Sequence, residues 1–224
     1  MKEEKSVLRW GGLAGILGGV LFLVAIPLSV LFPSPSLPVT PEQLMSFPDI
    51  RAGLTATLSL IIAIHILTVA LVLALYRALR TTSLGSALFG SILAVLGLLM
   101  LALDPASLFN VFPALSDLFA NAATTAEETT VLLVWEATIG MAYTFFFVGT
   151  LFLWIGIIAL GVAMLGAPAF GKGFGGASIV LGAVGAVAAY ARLLIPDVVV
   201  VYVLAIIIFL LLFGWKVYRL SRAA

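Results

Sequence analysis

Residues 124–166 read TTAEETTVLLVWEATIGMAYTFFFVGTLFLWIGIIALGVAMLG, and this stretch decides the fold. From Val131 onward it is largely apolar. A helix over Val131 to Gly166 would be roughly 54 Å long, against a hydrocarbon core of about 30 Å. The stretch therefore either folds back near Gly140 to Gly149 as two spans, or forms one long helix whose first turns project beyond the bilayer.

The composition is typical of a protein that is embedded in a membrane. Of its 224 residues, 63% are hydrophobic and 9% are charged, and the mean hydropathy is +1.28. A water-soluble domain of this size would expose a very large apolar surface. The apolar runs are long and uniform, so they predict helices rather than the alternating strands of a membrane barrel. A net charge of +1 gives no basic patch for nucleic acid, and the lack of cysteine excludes disulfides and thiolate metal sites.

Six apolar segments, with the long stretch counted once, predict an all-α bundle of six transmembrane helices with a small extracytoplasmic cap. The predicted spans are residues 10–32, 53–79, 85–103, 144–166, 175–195 and 198–215, and the cap is predicted from residues 33–52 and 104–143. Asp104 and Pro105 read as the cap and first residue of a new helical segment, so we expect the chain to turn at the membrane surface there. Capping boxes at Thr40 and Thr124 predict the starts of two further helices.

The basic residues choose between the two interpretations of the long stretch. With six spans and the N-terminus inside, the cytoplasmic Lys and Arg residues are 2, 5, 9, 77, 80, 172, 216, 219 and 222, which is nine of eleven. Only Arg51 and Arg192 then lie outside. Two spans in the long stretch would leave six inside and five outside. The count favours a multi-pass plasma-membrane protein with both termini in the cytoplasm, whose first span is a signal anchor rather than a cleaved signal peptide.

His65, the only histidine, lies near the middle of the second predicted span. An ionisable residue at this depth is a candidate ligand-binding residue. The simpler interpretation is a neutral histidine hydrogen-bonded to a serine, a threonine or a backbone carbonyl of a neighbouring helix. A b-type haem would want a second axial ligand, which only methionine could supply, and no cofactor is predicted.

Further ionisable and aromatic side chains are predicted to gather at the outer side of the bundle, in an outward polar pocket under the cap. The candidate ligand-binding residues there are Glu136, Arg192, Asp104, Asp197, Tyr143 and Tyr190. Charges at this depth usually pair, so we expect Arg192 to meet a carboxylate, with Glu136 as the preferred partner. Two or three acidic oxygens could also hold a cation, but no calcium loop or catalytic motif is present, so neither metal ligands nor catalytic residues are predicted.

Three segments carry a resemblance to a known family. They are RWGGLAGILGG at Arg9 to Gly19, LALYRALRTTSLGSALFG at Leu73 to Gly90, and the long fourth helix ending at Gly161 to Pro168 with the glycine-rich span after it. With these segments the chain resembles a family of uncharacterised six-span bacterial and archaeal integral membrane proteins, a domain of unknown function. The resemblance implies six spans and no established activity.

Three classes of function stay open on the sequence alone. The first is a non-enzymatic binding or accessory subunit whose cap meets a lipid, a small ligand or a partner protein. The second is a transporter or channel, against which stands the lack of an inverted repeat and of polar midplane residues other than His65. The third is a membrane-embedded enzyme that acts on lipid. The expected partners are the bilayer and a membrane protein or second copy bound through glycine-rich faces such as Gly11, Gly15 and Gly19, and no nucleic acid is expected.

Overall fold

The chain folds into helices joined by short connections. The computed structural model describes residues 2–35, 37–38, 40–191, 195 and 198–223, and none of these lies in a strand. The helices are α1 (Lys2–Leu31), α2 (Pro41–Met45), α3 (Phe47–Leu79), α4 (Leu84–Ala120), α5 (Thr125–Leu165), α6 (Gly171–Ala191) and α7 (Val199–Ala223). Within this described part, six helices, all except α2, are long and apolar enough to span a membrane. The predicted all-α bundle of six transmembrane helices is therefore confirmed, and the chain is a multi-pass membrane protein.

α5 is one unbroken helix of 41 residues. A capping box fixes its start, because the backbone N–H of Glu127 donates to Thr124 Oγ1 at 3.3 Å and the Glu127 carboxylate accepts from the N–H of Ala123 at 2.7 Å. Gly140 lies within the helix and does not interrupt it. The continuous fourth span is confirmed, and the alternative hairpin with seven spans is wrong.

α4 is also longer than a membrane crossing, and here the prediction was wrong. It continues unbroken through Asp104, Pro105 and Pro113 instead of turning at the membrane surface. A proline inside a helix removes one backbone donor and crowds the preceding turn. The residues that follow compensate by packing, since Leu108 and Phe112 are buried in a cluster shared with α5. Burial thus outweighs the local helix-breaking signal.

α4 and α5 form the most extensive helix pair of the bundle, and glycine makes their close approach possible. A Cβ atom added to Gly156 would lie 2.5 Å from the backbone nitrogen of Ala94 and 2.6 Å from the carbonyl oxygen of Gly90. One added to Gly149 would lie 2.8 Å from the carbonyl oxygen of Gly97. The two backbones therefore touch with no side chain between them, which is typical of helix pairs in membranes.

The ends of α4 and α5 that lie away from the chain termini pack with α2 and the start of α3. Trp135 is fully buried and stacks on Phe112 with ring centroids 4.3 Å apart, and Phe112 also contacts Phe47 at 4.3 Å. The Ser116 hydroxyl donates to the Leu44 carbonyl at 2.7 Å and so ties α4 to α2. We call this cluster the cap; it consists of Leu44, Phe47, Leu54, Leu58, Leu108, Phe112, Leu115, Trp135, Ile139 and Ala142.

Two details near α2 differ from the prediction. α3 begins at Phe47, before the predicted start of the second span at residue 53, so Pro48 lies in its first turn, where a proline is tolerated. The Thr40 side chain makes no capping bond to α2, so the capping box predicted there is not formed. A hydrogen bond from the backbone N–H of Glu42 and one from the Thr40 hydroxyl instead hold the pKa of the Glu42 carboxyl below its ordinary value.

α1 and α7 run antiparallel, so both termini lie at the same end of the bundle. A Cβ atom added to Gly12 would lie 2.5 Å from the backbone nitrogen of Tyr218, and one on Gly15 would lie 2.9 Å from Cα of Gly214. A Cβ atom on Gly11 would meet the side chain of Ala74 on α3. The small-residue face of α1 is thus used within the chain, and a homo-oligomer through such faces stays a prediction.

Candidate functional site

A pocket of about 250 Å³ lies at the base of the cap, between α3, α4, α5 and the segment that follows α1. Its polar lining is Ser34, Asp104 and Tyr143. Its apolar lining is Pro35, Leu58, Ile61, Pro105, Leu108, Ile139, Ala142 and Phe146. The site therefore combines a mainly apolar wall with one hydroxyl, one carboxyl and one phenol.

The continuity of α4 places Asp104 in this pocket. Asp104 directly follows the apolar residues 84–103, and its half-buried side chain lies one position before Pro105. The Ser107 hydroxyl donates to the Asp104 carbonyl at 2.7 Å, so a side chain from the next turn satisfies that carbonyl. Asp104 thus stands where the hydrocarbon-length part of α4 ends and the part buried in the cap begins.

Tyr143 enters the pocket from α5 and belongs to a row of aromatic rings. Its ring stacks on Phe147 with centroids 6.3 Å apart, and Phe147 contacts the ring of Tyr190 on α6 at 5.6 Å. The Tyr190 hydroxyl donates to the Phe147 carbonyl at 3.3 Å, and its side chain is 40% exposed. The structure brings Asp104 and Tyr143 to one pocket, and Tyr190 contacts Phe147, on whose ring Tyr143 stacks.

Glu136 is not among the described residues that line the pocket. Glu136 is exposed, while its neighbours Trp135 and Ile139 are buried in the cap, so its side chain faces away from the cluster. Arg192 and Asp197 lie outside the described residues. The expected pair between Arg192 and Glu136 therefore stays a prediction.

His65 lies within the bundle on α3 and is 7% exposed. Its Nδ1 is buried and has no hydrogen-bond partner among the described residues, so the predicted bond to a neighbouring helix is not formed at this atom. Thr68, one turn away, uses its hydroxyl on the Ile64 carbonyl of its own helix at 2.7 Å. The Thr150 hydroxyl is likewise buried without a partner in this part of the chain. His65 is not among the described residues that line the pocket.

Sequence reasoning missed several residues that shape the pocket. Ser34 and Pro35 come from a segment with no regular structure, and Leu58 and Ile61 resemble any other apolar residues of a membrane span. Phe146 forms the inner wall, and its ring contacts Tyr202 of α7 at 5.7 Å. These residues belong to the site because the fold brings their segments together, and their residue types alone do not indicate it.

Neither a metal-binding cluster nor a similar protein indicates which ligand the pocket binds. Among the residues that the structure describes, no three His, Asp or Glu side chains come together as a metal site would require. Comparisons with protein-family models, curated proteins and solved structures give no match. The family resemblance stays a prediction.

Proposed function

We propose that this protein is a non-enzymatic binding or accessory subunit whose pocket takes the polar end of an amphipathic molecule. The observation that carries the proposal is the lining of the pocket, with eight apolar residues and three polar ones. Sites for small molecules are usually apolar concavities in which a few polar groups fix the orientation of the ligand. A site that only binds such a molecule beside the cap needs no catalytic group.

The depth of the pocket supports an amphipathic ligand. Asp104 directly follows the predicted span 85–103 and Tyr143 directly precedes the predicted span 144–166, which is the level at which hydrocarbon gives way to water. Leu58 and Ile61 lie on α3, itself a candidate span. A bound amphiphile would therefore keep its apolar part beside α3 and present its head to the carboxyl and the phenol.

The polar groups define the chemistry of the head. A carboxylate accepts hydrogen bonds and attracts cations, and a phenol both donates and accepts. An amino or hydroxyl head group suits both. The volume of about 250 Å³ lies below the roughly 300–1,000 Å³ of sites that enclose drug-sized ligands. The pocket accordingly takes the head and the first carbons of a chain, and the rest of the chain stays outside.

The test measures binding of dodecylamine and dodecanol to the protein in nanodiscs of a zwitterionic lipid. Asp104→Asn keeps the shape of the side chain and removes its charge, so it should weaken amine binding by about tenfold, which corresponds to loss of one charged hydrogen bond, and affect the alcohol less. Ala142→Phe should fill the pocket and abolish binding of both.

Two control variants on α5 match these changes. Glu136→Gln removes an exposed carboxylate outside the pocket. Met141→Phe adds the same ring next to Ala142, but at a side chain that is 50% exposed and not part of the lining. Both controls should bind like the wild type. Equal binding by Ala142→Phe and Met141→Phe would refute the proposed site.

We also propose that both termini face the cytoplasm, which makes the cap extracytoplasmic. The support is the basic-residue count, because nine of the eleven Lys and Arg belong to the predicted terminal side. Reporter fusions at residue 224 and within residues 121–125 should give opposite signals. Matching signals would contradict this orientation.

A further inference from the structure

A second pocket, of about 480 Å³, lies at the opposite end of the bundle between α1 and α7. α1 contributes Lys5, Ser6, Arg9 and Trp10, and α7 contributes Tyr218, Ser221 and Arg222. Three of these seven residues are basic and none is acidic. The pocket is formed where the close contact of Gly12 with Tyr218 ends, so the two helices frame it.

We infer that this basic pocket binds the phosphate-bearing head group of an anionic phospholipid. This site is separate from the one under the cap and requires a ligand of opposite charge. Basic pockets between membrane helices are typical binding sites for anionic head groups.

The positive charges of the pocket have no acidic partner in the described part of the chain. Lys5 and Arg9 are four residues apart on α1 and so lie on one face of the helix. The ion pair found at this end joins Arg77 to Glu4 at 3.2 Å and involves neither of them. Among the described residues neither Lys5 nor Arg9 forms an ion pair, so both charges can meet a phosphate.

Arg222 is already held in place for an anion. Its Nη2 donates to the Tyr218 hydroxyl at 2.6 Å, and its guanidinium carbon lies 4.8 Å from the centre of the Tyr218 ring. Stacking on a ring restrains the planar guanidinium and leaves its other N–H groups for an oxyanion. Phosphate has several oxygens and can accept from two of these N–H groups at once, which a single-atom anion cannot do as well.

The surroundings select a lipid over free phosphate. Trp10 lines the pocket and is 69% exposed, and Trp215, one turn before Tyr218 on α7, is 54% exposed. Exposed tryptophan is typical of the level at which head groups meet acyl chains. The apolar part of α1 begins directly after Trp10. A ligand seated here has its phosphate among cations and its chains beside the helix.

The experiment is native mass spectrometry of the full-length protein in a neutral detergent, with phosphatidylglycerol or phosphatidylcholine added. Detergent supplies no charged surface, so bound lipid reports a site. The wild type should retain phosphatidylglycerol in preference to phosphatidylcholine. Lys5→Gln with Arg9→Gln should lower phosphatidylglycerol binding about tenfold or more. Arg222→Lys keeps the positive charge but loses the paired N–H donors of the guanidinium, so it should bind less phosphatidylglycerol than the wild type.

The matched control is Arg80→Gln with Lys172→Gln, which removes the same charge from exposed positions outside the pocket at the same end. It should bind like the wild type, and an equal loss in both double variants would overturn the inference. The side chains replaced in the two double variants are all exposed, namely Lys5, Arg9, Arg80 and Lys172. The melting temperatures of both variants should therefore equal that of the wild type, and measuring them checks folding directly. Equal retention of the two lipids by the wild type would also overturn it. Displacement of the lipid by millimolar inorganic phosphate would assign the site to free phosphate instead.

Discussion

The contact between α4 and α5 predicts that Gly156→Ala destabilises the protein. The added methyl group would lie 2.5 Å from the backbone nitrogen of Ala94, where ordinary contact begins at 3.4 Å, so the helices must part by about 0.9 Å. A gap of this size forfeits about a quarter to a half of each dispersion contact along the crossing. Overpacking costs about 1–3 kcal/mol, and replacing glycine within a helix returns about 0.5–1 kcal/mol. We expect a net loss of about 1 kcal/mol, or about fivefold in the unfolding equilibrium.

Equilibrium unfolding in mixed detergent micelles, followed by tryptophan fluorescence, measures this loss. Gly140→Ala is the matched control, because it lies on the same helix and an added Cβ meets no atom within 4 Å. The control should gain about 0.5–1 kcal/mol from the lower conformational entropy of the unfolded chain. If Gly156→Ala is stabilised as much as Gly140→Ala, the backbone contact between α4 and α5 is wrong.

Three further predictions concern the cap, His65 and Glu42 of α2. Trp135→Ala removes a fully buried ring and should cost about 3–5 kcal/mol, seen as faster hydrogen exchange in the cap, whereas Leu133→Ala at a 61% exposed position should change little. His65→Leu should leave stability unchanged or raise it by about 1 kcal/mol, because Nδ1 is buried without a partner; a marked loss on thermal unfolding would reveal a bond. The pKa of Glu42 is held low in the folded state, so its carboxylate stabilises the fold above its ordinary pKa, and this contribution is lost as pH falls through the lowered value. Thr40→Val should raise the pKa of Glu42 in an NMR titration, and an unchanged pKa would contradict the bond.

The sequence specifies α5 because the signals for that helix are local or additive. The capping box at Thr124 lies within four residues, and the count of basic residues favours one span over the hairpin. α4 shows the reverse case. Asp104 and Pro105 form a sequence pattern that is typical of a helix start, but the helix continues through them. The deciding contact joins Phe112 to Trp135, residues on different helices, and no local pattern reports it.

The residues of the candidate site also fall into those that the sequence indicates and those that it does not. Asp104 and Tyr143 were predictable because a carboxyl and a phenol at the end of an apolar run are unusual and therefore informative. Leu58 and Ile61 were not, since each is one of many apolar residues in α3, and only its position relative to α5 assigns it to the pocket. His65 misled for a related reason: a polar residue in a span predicts a partner, and the described residues provide none for Nδ1.

The contacts below the pocket favour binding over transport. Phe146 closes the inner side and contacts Tyr202, and Tyr202 contacts the fully buried Trp154 with ring centroids 6.1 Å apart. A solute that moved inward from the pocket between α4, α5 and α7 would have to separate these rings and open the backbone contact at Gly156, which would cost the packing of these helices. We therefore predict that proteoliposomes containing the wild-type protein show no flux of a small amine that binds the pocket. Phe146→Ala should change the affinity for the amine and still give no flux. Saturable amine flux with the wild type, reduced by Asp104→Asn, would show that the pocket is the entrance of a pathway and would replace the binding proposal with transport.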